Sequence, residues 1–133
     1  MIVVDASAMV EALVGRAPDP ALLDALTGEI SAPHLLDVEV LSALRGLTLA
    51  GKLDLDEADQ ARRDYFAFAI SRYDTEPLAD RVWALRHRFT SYDACYLALA
   101  EAIDAMLWTA DLKLRDGHAA RVHVVGRPST PGD

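Results

Sequence analysis

The sequence predicts an α/β domain, a short, mostly parallel β-sheet flanked by helices. Short apolar runs rich in β-branched residues, Ile2-Val3-Val4 first among them, alternate along the chain with segments of helical period. Two of the runs stop beside an aspartate, Asp5 and Asp111, and open parallel sheets bind ligands beyond the carboxyl ends of their strands. A length of 133 residues, 52% of them hydrophobic, suits one domain that buries a core without covalent staples.

Ile2-Val3-Val4 is the first strand in this reading. Ser7 to Gly15 follows as a helix, with Met9, Val10, Leu13 and Val14 at helical spacing and Gly15 as its stop. Asp19-Pro20 opens a short helix that carries Leu22, Leu23 and Leu26 and closes near Gly28. Ile30-Ser31-Ala32 is a second strand before Pro33. A long helix spans Leu35 to Gly51, and another spans Asp54 to Ile70 with its first turns rich in Asp and Glu, as the helix dipole prefers. Ser71 to Thr75 makes a third strand, and a helix started by Pro77 continues to about Phe89. Thr90-Ser91-Tyr92-Asp93 reads as the start of a helix reaching about Ile103. Ala105-Met106-Leu107-Trp108-Thr109 is a strand, a short helix follows Asp111 to about His118, and Val122 to Val125 closes the sheet.

The net charge of −8 is lopsided: residues 1–60 hold 3 Lys/Arg against 11 Asp/Glu, whereas residues 61–133 hold 10 of each. A surface of that sign repels nucleic-acid phosphates unless divalent cations reverse the local field. It attracts a basic protein partner. The single cysteine, Cys95, excludes an internal disulfide and, within the apolar run Ala94 to Ala100, reads as a small buried hydrophobe. That suits a reducing compartment. Asp5 interrupts the first apolar run, and no stretch reaches about 18 apolar residues, so neither a signal peptide nor a membrane span is expected. The expected location is cytoplasmic. Arg127 to Asp133 is Pro/Gly-rich and reads as a flexible tail behind a domain of residues 1–126.

Four acids carry the chemistry of interest, and each has an ordinary role beside a functional one. Asp5 and Asp111 could simply cap the helices that follow them, and Thr90-x-x-Asp93 could be a capping box. Glu39 sits near the apolar stripe formed by Leu35, Leu36 and Ala43, where it either snorkels to solvent or faces a cation. Taken together they are harder to explain as caps alone. Clustered carboxylates repel one another unless a cation joins them, and hard divalent cations such as Mg²⁺ take oxygen ligands.

The segments Ile2-Val3-Val4-Asp5-Ala6-Ser7, Leu36-Asp37-Val38-Glu39-Val40, Ser91-Tyr92-Asp93-Ala94-Cys95-Tyr96-Leu97-Ala98-Leu99-Ala100 and Trp108-Thr109-Ala110-Asp111-Leu112-Lys113-Leu114 stand in the order and at the spacing of the PIN-domain signature. Over roughly residues 1 to 125 the chain resembles the VapC toxins of type II toxin–antitoxin pairs, small stand-alone PIN domains of about this length. That resemblance implies the PIN-domain fold, with Asp5, Glu39, Asp93 and Asp111 as catalytic and metal-binding residues. Ser7 and Thr109 would orient those carboxylates from the second layer. It further implies an endoribonuclease dependent on Mg²⁺, with Mn²⁺ as a substitute, that directs an activated water in line at the phosphate without a covalent enzyme intermediate. A 5′-phosphate product, a specific structured RNA target such as a transfer or ribosomal RNA, a homodimer, and inhibition by a cognate VapB-like antitoxin complete the implied picture. An Arg of that antitoxin could pair bidentately with the carboxylates. Ser42 stands where many relatives carry Asn, and Asp116 is an extra acid that reads as a solvated helix residue.

The remaining polar residues point nowhere as sharply. Arg86, Arg88, Lys113, Arg115, Arg121 and Arg127 could touch phosphate or could be plain surface residues. His34, His87, His118 and His123 lack zinc-ligand spacing. Trp83 and Trp108 read as core residues. Two rival functions stand beside the nuclease. One is an aspartyl-phosphate phosphatase using Asp5, which would want a second acid where Ser7 stands. The other is a non-catalytic acidic interaction module, such as a receiver-like domain, which would want an acceptor aspartate after a mid-chain strand.

Overall fold

A computed structural model describes residues 1–126; the segment expected to form a C-terminal tail lies outside the described residues. Five strands are present: β1 (Ile2–Val4), β2 (Ile30–Pro33), β3 (Ile70–Tyr73), β4 (Met106–Thr109) and β5 (Val122–Val124). Every residue of β1 and β2 is buried, as expected for strands covered on both faces. All neighbouring strands pair in parallel, in the order β3-β2-β1-β4-β5. The chain therefore builds outward from β1 to β3, then crosses back to place β4 on the other side of β1. The carboxyl ends of β1 and β4 form the switch point of the sheet, the place where such folds open a crevice for ligands.

Helices α1 (Ala6–Val14), α2 (Pro20–Ala25), α3 (Leu35–Leu49), α4 (Leu55–Ala67), α5 (Ala79–Ala84) and α6 (Ser91–Ala102) fill the connections, with single 3₁₀ turns at Glu76–Leu78 and Leu112–Leu114. Among these, α6 is buried without a break from Ala94 to Ala100, and it packs on β1, β2 and β4. A helix apolar on all sides belongs in the interior, so the residues that α6 carries are held by the core. Cys95 lies in this run and is buried. Asp5, Asp19, Asp54 and Thr90 each cap a helix through the side chain. The stop of α3 is a Schellman motif: Gly51 at φ +72 lets Lys52 N–H reach the Leu47 carbonyl at 2.9 Å.

Three boundaries differ from the sequence reading. The fourth helix ends at Ala67, because Phe68 turns extended (φ −67, ψ 138) and Ile70 pairs with Ile30 as the first residue of β3. The expected helix from Pro77 to Phe89 is a 3₁₀ turn followed by the six-residue α5, and the chain then turns so that Thr90 can take the extended backbone that caps α6. Past Asp111 only one 3₁₀ turn forms, and Gly117 at φ +91 excludes continuation of a helix.

Trp83 is not a core residue. It is 69% exposed, because Leu78, Val82 and Leu85 form the inward stripe of its segment and leave the indole outside, where the Arg86 guanidinium sits 5.0 Å from the ring centre. Trp108 does pack against the core, with its ring stacked on that of His123 at 4.0 Å. Among the described residues no helix is long and apolar enough to cross a membrane.

Candidate active site

Asp5 leaves β1 at the switch point and caps α1, so the capping role and the site role fall on one side chain. Its Oδ1 accepts from the Ala8 amide at 3.0 Å and from the Ser7 hydroxyl at 2.7 Å. Its Oδ2 accepts from the Thr109 hydroxyl at 2.5 Å. Thr109 is the last residue of β4, so this bond ties the two strand ends together beside the backbone bond from Asp5 N–H to the Trp108 carbonyl. The two hydroxyls are themselves held from behind, Ser7 by the Ala110 amide at 2.9 Å and Thr109 by the Asp111 amide at 3.0 Å. Each hydroxyl has a single proton and gives it to Asp5. The 3.3 Å approach between Ser7 and Thr109 is therefore a packing contact of two oxygens.

Glu39 projects from α3, and its Oε1 accepts from the Tyr96 hydroxyl at 2.6 Å. Asp93 lies in the first turn of α6, with its amide donating to the Thr90 cap at 3.1 Å. Asp111 caps the last 3₁₀ turn, accepting from the Lys113 amide at 2.9 Å, and the Lys113 ammonium stands 3.8 Å from its other oxygen. The structure brings all four acids to one cleft of about 140 Å³, lined by Asp5, Ala6, Ser7, Glu39, Asp93, Tyr96 and Asp111. A wider cavity of about 630 Å³ between α1 and α3 adjoins it and shares Ala6, Ser7 and Glu39.

The electrostatics show mutual strain. Burial pushes the Asp5 carboxyl above its ordinary range despite three hydrogen-bond donors, and the neighbouring Asp93 adds to the rise. Burial also raises Glu39, with Asp93 and Asp5 contributing against the Tyr96 bond. Burial and then Asp111 raise Asp93, and Lys113 offsets part of this. Tyr96 is pushed far upward by burial and by its bond to Glu39, so its proton stays on the phenol.

These donors are hard oxygens, and neither His nor Cys lines the cleft. Among the described residues no group of three or more His, Cys, Asp or Glu side chains is ready-spaced to hold a metal ion by itself. The all-oxygen lining suits a hard divalent cation, which can be held by a few carboxylates together with waters and substrate phosphates. It does not fit a closed zinc site.

Other sequence candidates lie elsewhere. Asp116 is exposed in a bend and does not line the cleft. Ser42 lines only the wider cavity. Arg121 pairs with Asp104, and Arg88 lies over Gly117. Arg127 falls outside the described residues. Among the described cations Lys113 alone touches a site acid. The residue that the sequence reading left unassigned is Tyr96. Its signal was the three-residue spacing from Asp93, which puts both on one face of α6.

The sequence matches the PIN-domain family over residues 2–118. A VapC ribonuclease of Mycobacterium bovis is 38% identical over 96% of this chain and 99% of its own length. Ribonuclease VapC1 of Mycobacterium tuberculosis is 43% identical over 84% of this chain and 86% of its own length. In the structure of VapBC2 from Rickettsia felis bound to a DNA fragment from their promoter, a chain superposes with a TM-score of 0.68 at 16% identity, covering 94% of this chain and 99% of that one. The last likeness concerns the fold alone. With the family pattern spanning nearly all of the described chain, and relatives of such identity along 86% to 99% of their lengths, this protein belongs to the VapC ribonucleases of the PIN-domain family.

Proposed function

We propose that this chain is the toxin of a type II toxin–antitoxin pair, a Mg²⁺- or Mn²⁺-dependent endoribonuclease that cuts a specific structured RNA and leaves 5′-phosphate ends. As a VapC ribonuclease it is a hydrolase of RNA. The metal dependence rests on one observation, the convergence of Asp5, Glu39, Asp93 and Asp111 in a single cleft where, among the described residues, Lys113 is the one cation paired with a site acid. Four carboxylates with three of them raised by burial and repulsion favour binding of a divalent cation. Bound there, such a cation supplies nucleophile activation and charge neutralisation at the phosphodiester.

The chain's own residues have separable tasks in this reading. Ser7, Ala8 and Thr109 lock Asp5 in one orientation. Glu39, Asp93 and Asp111 line the same cleft and would hold the cation with Asp5. Ser7 is tied up as a support, its hydroxyl donating to Asp5 Oδ1 and accepting from the Ala110 amide. Asp5 is only 6% exposed with both oxygens occupied, which disfavours an aspartyl-phosphate route. The proposed reaction is attack by water without a covalent enzyme intermediate.

A basic, VapB-like antitoxin is the proposed partner, in keeping with the paired name of the Rickettsia felis VapBC2 and with the acidic first half of the chain. Exposed apolar residues Val38, Leu49 and Leu55 on α3 and α4 support protein contacts there, including a homodimer. The cytoplasm is the proposed compartment. Expression of the wild type and of Asp93→Asn, followed by mapping of new RNA 5′ ends, tests the reading. A discrete set of ends with the wild type alone supports it, and identical end maps from both proteins refute it.

A further inference from the structure

Tyr96 is 2% exposed, yet its hydroxyl reaches the acidic cleft and donates to Glu39 Oε1 at 2.6 Å. Its ring stands in the unbroken buried run of α6, so the core sets where that hydroxyl lies. Glu39 is held far less firmly. It lines both the acidic cleft and the wider α1–α3 cavity, whereas Tyr96 lines only the cleft. The wider cavity has small walls beside Glu39, at Ser42, Ala43 and Gly46, and a Cβ built on Gly46 would meet nothing within 4 Å. Asp93 and Asp5, which share the cleft with Glu39, repel its carboxylate. Among the described residues the Tyr96 hydroxyl is the one donor to the Glu39 carboxylate.

We propose that Tyr96 is a positioning residue that latches Glu39 into the acidic cleft, where its carboxylate would help hold a cation, and keeps the side chain from turning into the α1–α3 cavity. The inference rests on the metal-dependent reading above. It separates the two kinds of support in the site. Asp5 is fixed by three donors, Ser7, Ala8 and Thr109, while Glu39 depends on the Tyr96 hydroxyl alone among the described residues.

The test is Mn²⁺ binding by the purified full chain, followed by electron paramagnetic resonance, for wild type, Y96F, E39Q and the double variant. Thermal melting and cleavage of a fluorogenic RNA oligonucleotide are read in parallel. Y96F removes one oxygen and keeps the buried ring, so the metal-free fold is retained. The expected result is Mn²⁺ affinity weakened by about tenfold, a similar fall in kcat and an unchanged KM, since outer partners of metal ligands carry effects of that size. In the E39Q background Y96F should weaken Mn²⁺ binding no further. Wild-type Mn²⁺ affinity in Y96F, or an equal loss with and without Glu39, overturns the latch while leaving the metal site standing. A wild-type chain that binds no Mn²⁺ overturns both.

Discussion

The Thr109 hydroxyl, at the carboxyl end of β4, donates to Oδ2 of Asp5, at the carboxyl end of β1, across 104 residues of sequence. The bond spans the switch point of the sheet and holds the deepest acid of the cleft to the strand that delivers Asp111. Thr109→Val keeps the shape of this fully buried residue and deletes the bond. A hydrogen bond to a charged group contributes about 1.5–3 kcal/mol, so urea denaturation should show a loss of that order. RNA cleavage should fall about 10- to 100-fold, as for loss of a residue that supports a metal ligand. A variant with wild-type stability and rate would show that Asp5 needs no such brace.

Asp5→Asn should abolish cleavage and leave the fold intact or slightly stabilised. The sign follows from the raised carboxyl of Asp5: burial makes the folded state hold that proton more tightly than the unfolded chain does. Such a group destabilises the fold progressively as pH rises from the unfolded value of 3.8 through the raised folded value. The metal-free variant should therefore gain on the wild type across that climb and keep its advantage at pH 7. Added Mg²⁺ or Mn²⁺ should stabilise the wild type and not the variant, by mass action on the native state. Paired thermal melts at several pH values read both effects, and a stability difference independent of pH would contradict them.

Away from the cleft, Tyr65 and Arg72 both donate to Asp37, at 2.6 Å and 3.0 Å, and pin the start of α3 to α4 and β3. Burial works to raise the Asp37 carboxyl, but the bonds from Arg72 and Tyr65 outweigh it and the net shift is downward. The stability this contributes is present above 3.8 and lost as pH falls through the lowered value. Tyr65→Phe should cost about 1.5 kcal/mol, the low end for a hydrogen bond to a charged group because this one is only part-buried, while RNA cleavage stays at the wild-type rate. Loss of cleavage at unchanged stability would mean that this network reaches the site.

Residues 1–60 carry the whole net charge of −8 and two of the four site acids. An antitoxin segment laid over α1 to α3 would meet the wider cavity, which leads to the cleft through Ser7 and Glu39. An Arg or Lys projected from it toward Asp5 and Asp93 would displace the cation without any change of fold. Association should then slow as salt is raised, because such steering is screened within about 10 Å at 0.1 M ionic strength. Replacing the inserted basic residue should restore ribonuclease activity to a complex that stays assembled. Stopped-flow rates indifferent to salt would sink this picture.

Much of this architecture was legible because the strands announce themselves. Ile2-Val3-Val4 and Met106-Leu107-Trp108-Thr109 are short apolar runs between polar breaks, and all five strands fall where the sequence placed them to within a residue or two. Ile70 was assigned to a helix because Tyr65, Phe66 and Phe68 continue an apolar pattern up to it; only pairing with Ile30 reveals a strand. Trp83 misled because size and hydrophobicity favour burial, whereas the short α5 turns other residues inward. The convergence of Asp5, Asp93 and Asp111 could be expected from their positions at strand and helix ends, and that of Glu39 from its place near the apolar stripe of α3. The hold of Tyr96 on Glu39 could not, since no local spacing encodes a bond between side chains 57 residues apart.

The most direct test of the central claim is cleavage of RNA by the purified chain in Mg²⁺, then with excess EDTA, then with Mn²⁺ restored, with Asp93→Asn alongside. Asp93 shares the cleft with Asp5, Glu39 and Asp111, so its loss should weaken the cation's hold without unfolding the chain. The expected result is cleavage in Mg²⁺, none in EDTA, recovery in Mn²⁺, and at least about a hundredfold less in the variant, beyond what loss of a merely supporting residue costs. Cleavage that continues in EDTA, or proceeds in Asp93→Asn at the wild-type rate, would contradict a four-carboxylate metal site.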